Sequence, residues 1–225
     1  MPRIARVAPG GMLYHVFNRG LPSTRLFRKD ADFETFERII EQAIDSRPMR
    51  ILSYCLMPTH WHLVLWPEND GDLGAFMQRL TGSHARNWQI ARGRIGYGHL
   101  YQGRYKSFTI ECGEPLFEVV RYVEANARRA KLVRRAEDWR YGSLWRRTSG
   151  TRELRRMLSD WPLPRRRSWS QYVNQPPSAA ELEAIRLCLK RGRPYGREAW
   201  VRDTVARLGL ESTVRPHGRP RRQDA

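Results

Sequence analysis

The pattern of apolar and polar positions divides the first 130 residues into seven elements. Segments in which apolar and polar residues alternate, or in which a short apolar run is bounded by proline, are typical of strands. Segments with apolar residues three or four apart are typical of amphipathic helices. The predicted strands are 12–18, 49–57, 60–67 and 104–111, and the predicted helices are 30–46, 71–92 and 113–130.

The order of these elements is strand, helix, strand, strand, helix, strand, helix. This order predicts an α+β fold with one four-stranded, mainly antiparallel sheet and helices packed on it. Only Pro58 and Thr59 separate the second strand from the third, which indicates a hairpin. Glycines are frequent over 93–103, so this segment is predicted to be a loop.

The net charge of the chain indicates what kind of molecule it binds. The chain has 41 Lys and Arg against 23 Asp and Glu, a net charge of +18. An excess of this size indicates a polyanion as partner, and nucleic acid is the first candidate. No apolar run has the length of a membrane span and no signal peptide is recognisable, so a cytoplasmic protein without a membrane partner is expected. The three cysteines are scattered, which argues against a disulfide framework or a thiolate zinc site.

The composition changes after about Arg146. Residues 151–225 carry half of the net charge in a third of the length. Residues 163–178 have the composition of a linker, and two short helices are predicted after it. We therefore divide the chain into a core domain, 1–148, and a basic C-terminal region, 149–225, that binds DNA or regulates the core.

His60 and His62 stand at the start of the predicted third strand. Because side chains two apart on a strand share a face, the two imidazoles project together. Such a pair is half of a metal site or a clamp for phosphate oxygens. The alternative is a pair of ordinary polar residues at the rim of a sheet.

Tyr122 and Asn126 are four residues apart on the predicted third helix, so they share a helix face. If that helix crosses the sheet near His60 and His62, a divalent ion would have two nitrogens and one oxygen as ligands. Tyr122 could then attack a polarised phosphodiester. The alternatives are a core tyrosine and an asparagine at a helix end.

Several segments carry a resemblance to a known family. The segment MPTHWHLVLWP, 57–67, resembles the His-hydrophobic-His (HUH) motif of the single-tyrosine transposases. The segments GHLYQGRYKSFTIE, RYVEANARRAKLV and DWRYGSLW resemble the next blocks of that superfamily in the same order. The ending RGRPYGREAWVRDTVARLGLESTVRPHGRPRR is similar to that of its REP-associated tyrosine transposase branch, which is linked to repeated extragenic palindromes in bacterial genomes.

The resemblance implies a ferredoxin-like core and makes 1–148 the catalytic domain. It implies that His60 and His62 bind Mg²⁺ or Mn²⁺, with Tyr122 as the nucleophile and Asn126 as a third metal ligand. The implied reaction cleaves and rejoins single-stranded DNA, in hairpins with REP-like palindromic repeats, through a 5′-phosphotyrosine intermediate.

The chain departs from the family pattern at Asn126. Relatives commonly read Asn-Pro-Val-Arg after the tyrosine, whereas this chain reads Asn126-Ala127-Arg128-Arg129. Ala127 is predicted to prolong the helix past Asn126. Many relatives also use Gln or Glu as the third ligand, and Asn is shorter.

Side chains at three places are candidate DNA contacts. Arg104 and Lys106 are predicted to share a face of the fourth strand, where they could contact a DNA backbone, with an ordinary solvated strand face as the alternative. Relatives use the region around the first strand for DNA, and the two Gly-Arg-Pro triplets of the tail suit a narrow minor groove, with a turn in a basic tail as the alternative. The candidate residues are Arg3, Arg6, Asn18, Arg19, Arg104, Lys106, Arg191, Arg193 and Arg219.

Three functions are compatible with the sequence. The first is a DNA strand-transfer enzyme, and the second is a non-catalytic palindrome-binding protein of the repressor or nucleoid type. The third, an RNA-binding protein, explains the charge but gives His60, His62 and Tyr122 no task. A monomer and a homodimer are both compatible with the chain.

Overall fold

The computed structural model describes residues 7–215, and these contain a four-stranded sheet. The strands are β1 (Leu13–Arg19), β2 (Arg50–Met57), β3 (His60–Trp66) and β4 (Lys106–Ile110). The longer helices are α1 (Asp30–Ser46), α2 (Asp72–Ala91) and α3 (Glu114–Glu124). The later helices are α4 (Asn126–Arg129), α5 (Ser143–Thr148), α6 (Arg152–Arg155), α7 (Trp169–Asn174), α8 (Ala179–Arg191), α9 (Glu198–Leu208) and α10 (Glu211–Val214), and a 3₁₀ turn spans Ala136–Asp138.

The sheet has the order β2-β3-β1-β4, and each neighbouring pair is antiparallel. The predicted α+β fold, with its hairpin through Pro58 and Thr59, is confirmed. The fourth strand begins two residues later than predicted, at Lys106, because its pairing with β1 ends at Phe17. Arg104 therefore lies in the turn before β4, and the prediction that it shares a strand face with Lys106 is wrong.

Alternate side chains of the sheet face two separate cores. Trp61 and Leu63 of β3 belong to the core under α1 and α2. Val64 belongs to the other core, which is shared with α3, α7 and α8. His60 and His62 lie on the Val64 side, because side chains two apart on a strand project together. The period of two in β3 thus places the histidine pair against α3.

The second core receives side chains from the basic C-terminal region. The segment 163–178, predicted to be a linker, contains α7, so that prediction is wrong. Trp169 of α7 is buried, and its indole Nε1 donates to Glu124 Oε2 at 2.7 Å. Val173 of α7 is buried in the same core, but the prolines and arginines of the segment dominate its composition and obscure these two apolar residues.

A short segment of the C-terminal region pairs with the outer edge of β4. The backbone N–H of Tyr195 donates to Thr109 O at 2.8 Å, and Tyr195 O accepts from the N–H of Glu111 at 2.9 Å. The pairing covers backbone groups that an edge strand would otherwise expose. Helices α8 and α9, which flank this segment, are the two short helices that the sequence predicts. Within residues 7–215, no helix is both long enough and apolar enough to cross a membrane.

Candidate active site

His60 and His62 form a close pair at the start of β3. Their ring centroids are 5.2 Å apart, and the ring planes are nearly perpendicular. His62 is buried, whereas His60 lies at the hairpin end and is partly exposed. The two imidazoles therefore lie side by side on one face of β3, as the sequence predicts.

One ring nitrogen of each histidine is engaged by a neighbour. Thr59 Oγ1 lies 3.0 Å from His60 Nδ1, and His15 Nε2 lies 2.9 Å from His62 Nδ1. A histidine that ligates a cation through one nitrogen is oriented by the hydrogen bond that its other nitrogen makes. Nε2 of both rings is thus the nitrogen available for ligation.

His15 is a candidate functional residue that the sequence reading missed. It is fully buried on β1, and its ring stacks on Phe108 with 4.9 Å between centroids. Leu13, His15 and Phe17 share one face of β1. A histidine between two apolar residues on the same strand face was therefore the one feature of the sequence that could have indicated its role. The contact with His62 depends on the pairing of β1 with β3, which separates the two residues by 47 positions in the chain.

Burial keeps the three imidazoles neutral. Desolvation, with smaller contributions from the charges of Arg19 and Arg129, lowers the pKa of His60 to about 4. Desolvation also lowers the pKa of His15 to about 3, and it holds the pKa of His62 well below its ordinary value. The neutral imidazole is the form that ligates a cation, so these rings are ready to do so at neutral pH.

Tyr122 lies on α3 beside the histidine pair. Its ring meets that of His62 edge-on, with 5.8 Å between centroids. The guanidinium of Arg129 stacks on the same ring, 3.9 Å from its centre. An edge-on aromatic contact on one side and a cation–π contact on the other hold the ring in one orientation.

Asn126 begins the one-turn helix α4, because the predicted helix 113–130 is interrupted at Ala125. The prediction of a continuous helix past Asn126 is therefore wrong. Arg129 Nη1 donates to the backbone carbonyl of Tyr122 at 3.0 Å. In an unbroken helix, this carbonyl would accept the hydrogen bond from the backbone N–H of Asn126. Arg129 Nη2 also donates to Asn126 Oδ1 at 3.2 Å, and within residues 7–215 the buried Nδ2 of Asn126 has no partner.

A cavity of about 280 Å³, called here the histidine cavity, joins these side chains. The residues predicted to act in catalysis all line it, namely His60, His62, Tyr122 and Asn126. Positive charge surrounds them, from Arg19 and Lys106 on the sheet and from Arg186 and Lys190 on α8. One face of the sheet and three helices thus combine potential metal ligands, a potential hydroxyl nucleophile and cations that suit phosphate.

A family model described as "Transposase IS200 like" matches residues 10–126, which include every potential ligand and the tyrosine. The chain belongs to the IS200-like transposase family. The family predicted from the HUH motif and the later blocks is thereby confirmed, and it makes the chain a transposase that acts on DNA.

Two solved structures are similar to this transposase. A REP-associated tyrosine transposase, solved bound to a REP hairpin, is 19% identical, with a TM-score of 0.54 over 74% of this chain and 98% of that chain. A Deinococcus radiodurans R1 protein described as a transposase is 19% identical, with a TM-score of 0.38 over 55% of this chain and 96% of that chain. The first likeness shows a shared fold. A comparison with curated proteins gives no match.

The donors of the histidine cavity fit a divalent cation. The part of the chain that the structure describes has no cluster of three or more His, Cys, Asp or Glu side chains suited to a metal. The transposase instead offers two neutral imidazoles and Oδ1 of Asn126, an oxygen that also accepts from Arg129 Nη2 at 3.2 Å. Imidazole and carbonyl oxygen together suit several divalent ions, and a set of only three protein ligands leaves positions for substrate.

Three cations near the tyrosine were not predicted from the sequence. Arg129 lies three residues beyond Asn126, at the spacing of one helical turn, which was an available signal. Arg186 and Lys190 are four residues apart on α8 of the transposase and so share one helix face. They reach the histidine cavity only because α8 packs beside β4, which no local pattern reveals.

Of the other predicted DNA contacts, those that the structure describes do not line the histidine cavity. Asn18 and Arg104 line a second cavity, between α2 and the loop before β4. Arg191 donates to Ser212 O at 3.1 Å, and Arg193 is partly exposed in the turn after α8. The remaining predicted contacts lie outside the described residues, namely Arg3, Arg6 and Arg219.

Proposed function

We propose that the protein is a metal-dependent endonuclease and strand transferase for single-stranded DNA, with Tyr122 as its nucleophile. The observation that carries the proposal is the meeting of Tyr122 with His60 and His62 in one cavity. Family membership supplies the general class, a transposase. The tyrosine and the histidine pair support the finer assignment to the HUH tyrosine class.

The proposed first step breaks one phosphodiester bond. The Tyr122 hydroxyl oxygen attacks phosphorus and gives up its proton to solvent, while the bond from phosphorus to the 3′ oxygen breaks and that oxygen takes up a proton from solvent. The products are a 5′-phosphotyrosine and a free 3′-hydroxyl. Attack of a 3′-hydroxyl on the phosphotyrosine reverses the step and rejoins a strand, so no external energy source is required.

Nε2 of His60 and Nε2 of His62, with the amide of Asn126, would hold Mg²⁺ or Mn²⁺. A bound divalent ion supplies Lewis-acid polarisation of the scissile phosphodiester. Around this site, Arg19, Lys106, Arg186 and Lys190 would neutralise neighbouring phosphates and position the strand. His15 would keep the ring of His62 in the tautomer that ligates.

The proposed substrate is a DNA hairpin with REP-like palindromic repeats. The REP-associated tyrosine transposase with the shared fold was solved on a REP hairpin. The net charge of +18 supports a nucleic acid partner of some kind. In this proposal 1–148 is the catalytic domain, and 149–225 contributes DNA contacts such as those of Arg186 and Lys190.

A covalent adduct tests the proposal. Full-length protein is incubated with labelled hairpin oligonucleotides and Mn²⁺, and the mixture is run on a denaturing gel. The wild type is expected to form a protein–DNA band that Tyr122→Phe cannot form, while the variant still binds the hairpin under native conditions. Hairpin binding by both proteins without any adduct would contradict the enzyme and favour the palindrome-binding protein.

A further inference from the structure

Two glycines on α2 have no explanation within the described part of the chain. Gly74 and Gly82 are interior helix residues, where glycine is less favourable than alanine. Neither has a positive φ, and a Cβ on either would meet no described heavy atom within 4 Å beyond the backbone of its own helix. Neither conformation nor packing therefore requires a glycine at these two positions.

Both glycines line the second cavity, called here the α2 cavity, which has a volume of about 950 Å³. Gly74 and Gly82 are eight residues apart, so they lie on one side of the helix. A glycine with open space beside it is typical of a place where a ligand approaches the backbone closely. The missing side chains leave a smooth wall against which a flat group can lie.

Asn18 also lines the same cavity and contributes a side-chain donor to it. Asn18 is only 5% exposed, and its Oδ1 accepts a hydrogen bond from the backbone N–H of Arg19 at 2.9 Å. That bond identifies Oδ1 as the acceptor, so Nδ2 is the group that Asn18 can offer to the cavity that it lines. Among residues 7–215, no hydrogen-bond partner of this Nδ2 is found. A pre-oriented donor that opens onto a cavity is a recognition group.

The rest of the lining suits a nucleobase better than a phosphate. Gln78 and Gln102 add two exposed carboxamides, and Arg104 is the charged residue among the described lining. A carboxamide presents a donor beside an acceptor, the pattern that pairs with the edge of a base. A phosphate-binding site would instead be expected to contain several cationic side chains, as the histidine cavity does.

The two cavities meet at one end of β1. Asn18 lines the α2 cavity, whereas Arg19, the next residue, lines the histidine cavity on the other face of the sheet. Arg19 Nε also donates to Gln102 Oε1, which joins the two linings. A single strand that passes round the ends of β1 and β4 would therefore reach both.

We propose that the α2 cavity binds an unpaired nucleobase of the DNA substrate and discriminates its identity, while a phosphate of the same strand occupies the histidine cavity. This inference rests on the proposed function, because it takes DNA with an unpaired segment as the substrate. It adds a specificity site on the opposite face of the sheet from the nucleophile.

The double variant Gly74→Ala/Gly82→Ala tests the site, since each methyl group projects into the open space beside its glycine and keeps a flat group off the backbone, while alanine favours the helix. The probe is a pool of hairpin oligonucleotides with a constant stem and randomised unpaired arms, bound to full-length protein in EDTA and sequenced. The wild type is expected to enrich one base at a position in an arm. Replacing that base with an abasic site should weaken binding about tenfold.

In the double variant the enrichment should disappear, and the intact and abasic hairpins should bind alike. Its Tm should nevertheless rise, by about 2–4 °C for each kcal/mol gained. Asn87→Ala is the matched control, because Asn87 is exposed on α2 and does not line the cavity. It should keep the enrichment and the tenfold penalty.

Loss of base preference together with a higher Tm supports the site. The proposal is wrong if the double variant keeps the enrichment and the abasic penalty, or if the wild type shows no base preference. Binding in EDTA needs no covalent chemistry, so these outcomes are separate from the Tyr122 adduct that tests the proposed function.

Discussion

The two cavities lie on opposite faces of one sheet and differ in how their walls are built. The histidine cavity is small, and its groups come from β1, β3, β4, α3, α4 and α8. Its rings are buried, hydrogen-bonded or stacked. The α2 cavity is more than three times larger, and one helix and one loop supply most of its lining through glycines and carboxamides.

This difference follows from what each cavity is proposed to do. Bond breaking needs reactive groups held within a fraction of an ångström, so the histidine cavity draws its parts from packed elements. Recognition of a base needs space and a few oriented donors, so the α2 cavity keeps glycine where the fold would prefer alanine. The comparison predicts that substitutions on one face change the reaction and that those on the other change the choice of DNA.

The largest expected effect follows from removal of a metal ligand. His62→Ala or His60→Ala should reduce cleavage by roughly three orders of magnitude, because several kcal/mol of transition-state stabilisation are lost. EDTA should reduce wild-type cleavage equally, and Mn²⁺ should restore it. Single-turnover cleavage of a labelled hairpin measures the rate, and the base preference of the pool should remain.

A variant of either histidine that cleaves at the wild-type rate would contradict the ligand assignment. Loss of the base preference in these variants would instead show that the two cavities are not independent.

A smaller effect is expected at His15, which touches His62 but not the substrate. His15→Phe keeps the ring against Phe108 and removes the hydrogen bond to His62 Nδ1. Affinity for Mn²⁺ should fall roughly 10- to 100-fold, as for other residues that orient a metal-ligating histidine. Calorimetric titration with Mn²⁺ measures this, and His15→Gln, whose Oε1 can accept the hydrogen bond from His62 Nδ1–H, should recover part of the affinity. Equal Mn²⁺ affinities for all three proteins would leave His15 a packing residue only.

The smallest effect is expected at the cations of α8. Arg186→Gln/Lys190→Gln removes two exposed charges from the rim of the histidine cavity. If each charge neutralises one phosphate of a single strand, the slope of log affinity against log salt should decrease by about 1.4. The loss should be similar for every sequence in the pool, because phosphate contacts carry no base information.

Hairpin affinities measured over a series of salt concentrations test this, with Leu187→Gln as a control for substitution on the exposed side of α8. Substitution is more informative here than truncation, because buried residues such as Trp169 complete the second core. An unchanged slope would remove α8 from the DNA contacts.

Much of the fold could be predicted because its signals are local. The alternation in 60–67 fixes which face carries His60 and His62, and the apolar spacing of α1 and α2 identifies two helices to within a residue or two. The proximity of Tyr122 to the histidines needed one further assumption, that the third helix crosses the sheet beside β3.

The features that the sequence did not predict depend on contacts between distant segments. His15 meets His62 only through strand pairing, and the α8 cations reach the site only through packing beside β4. No glycine or proline marks the interruption of the helix at Ala125. Instead, the side chain of Arg129 donates a hydrogen bond to the backbone carbonyl of Tyr122. Nor could sequence alone show that Gly74 and Gly82 border a cavity.

The central claim is that Tyr122 becomes covalently bound to DNA. The chain has nine tyrosines, and Tyr101 and Tyr105 lie in or next to the loop before β4 and are the nearest competitors in the motif blocks. Tyr101 is buried, and its hydroxyl is engaged by Trp61 and His84. Mass spectrometry of the digested adduct should place the nucleotide mass on the peptide that contains Tyr122. An adduct that maps to Tyr105, Tyr101 or any other tyrosine would contradict the account.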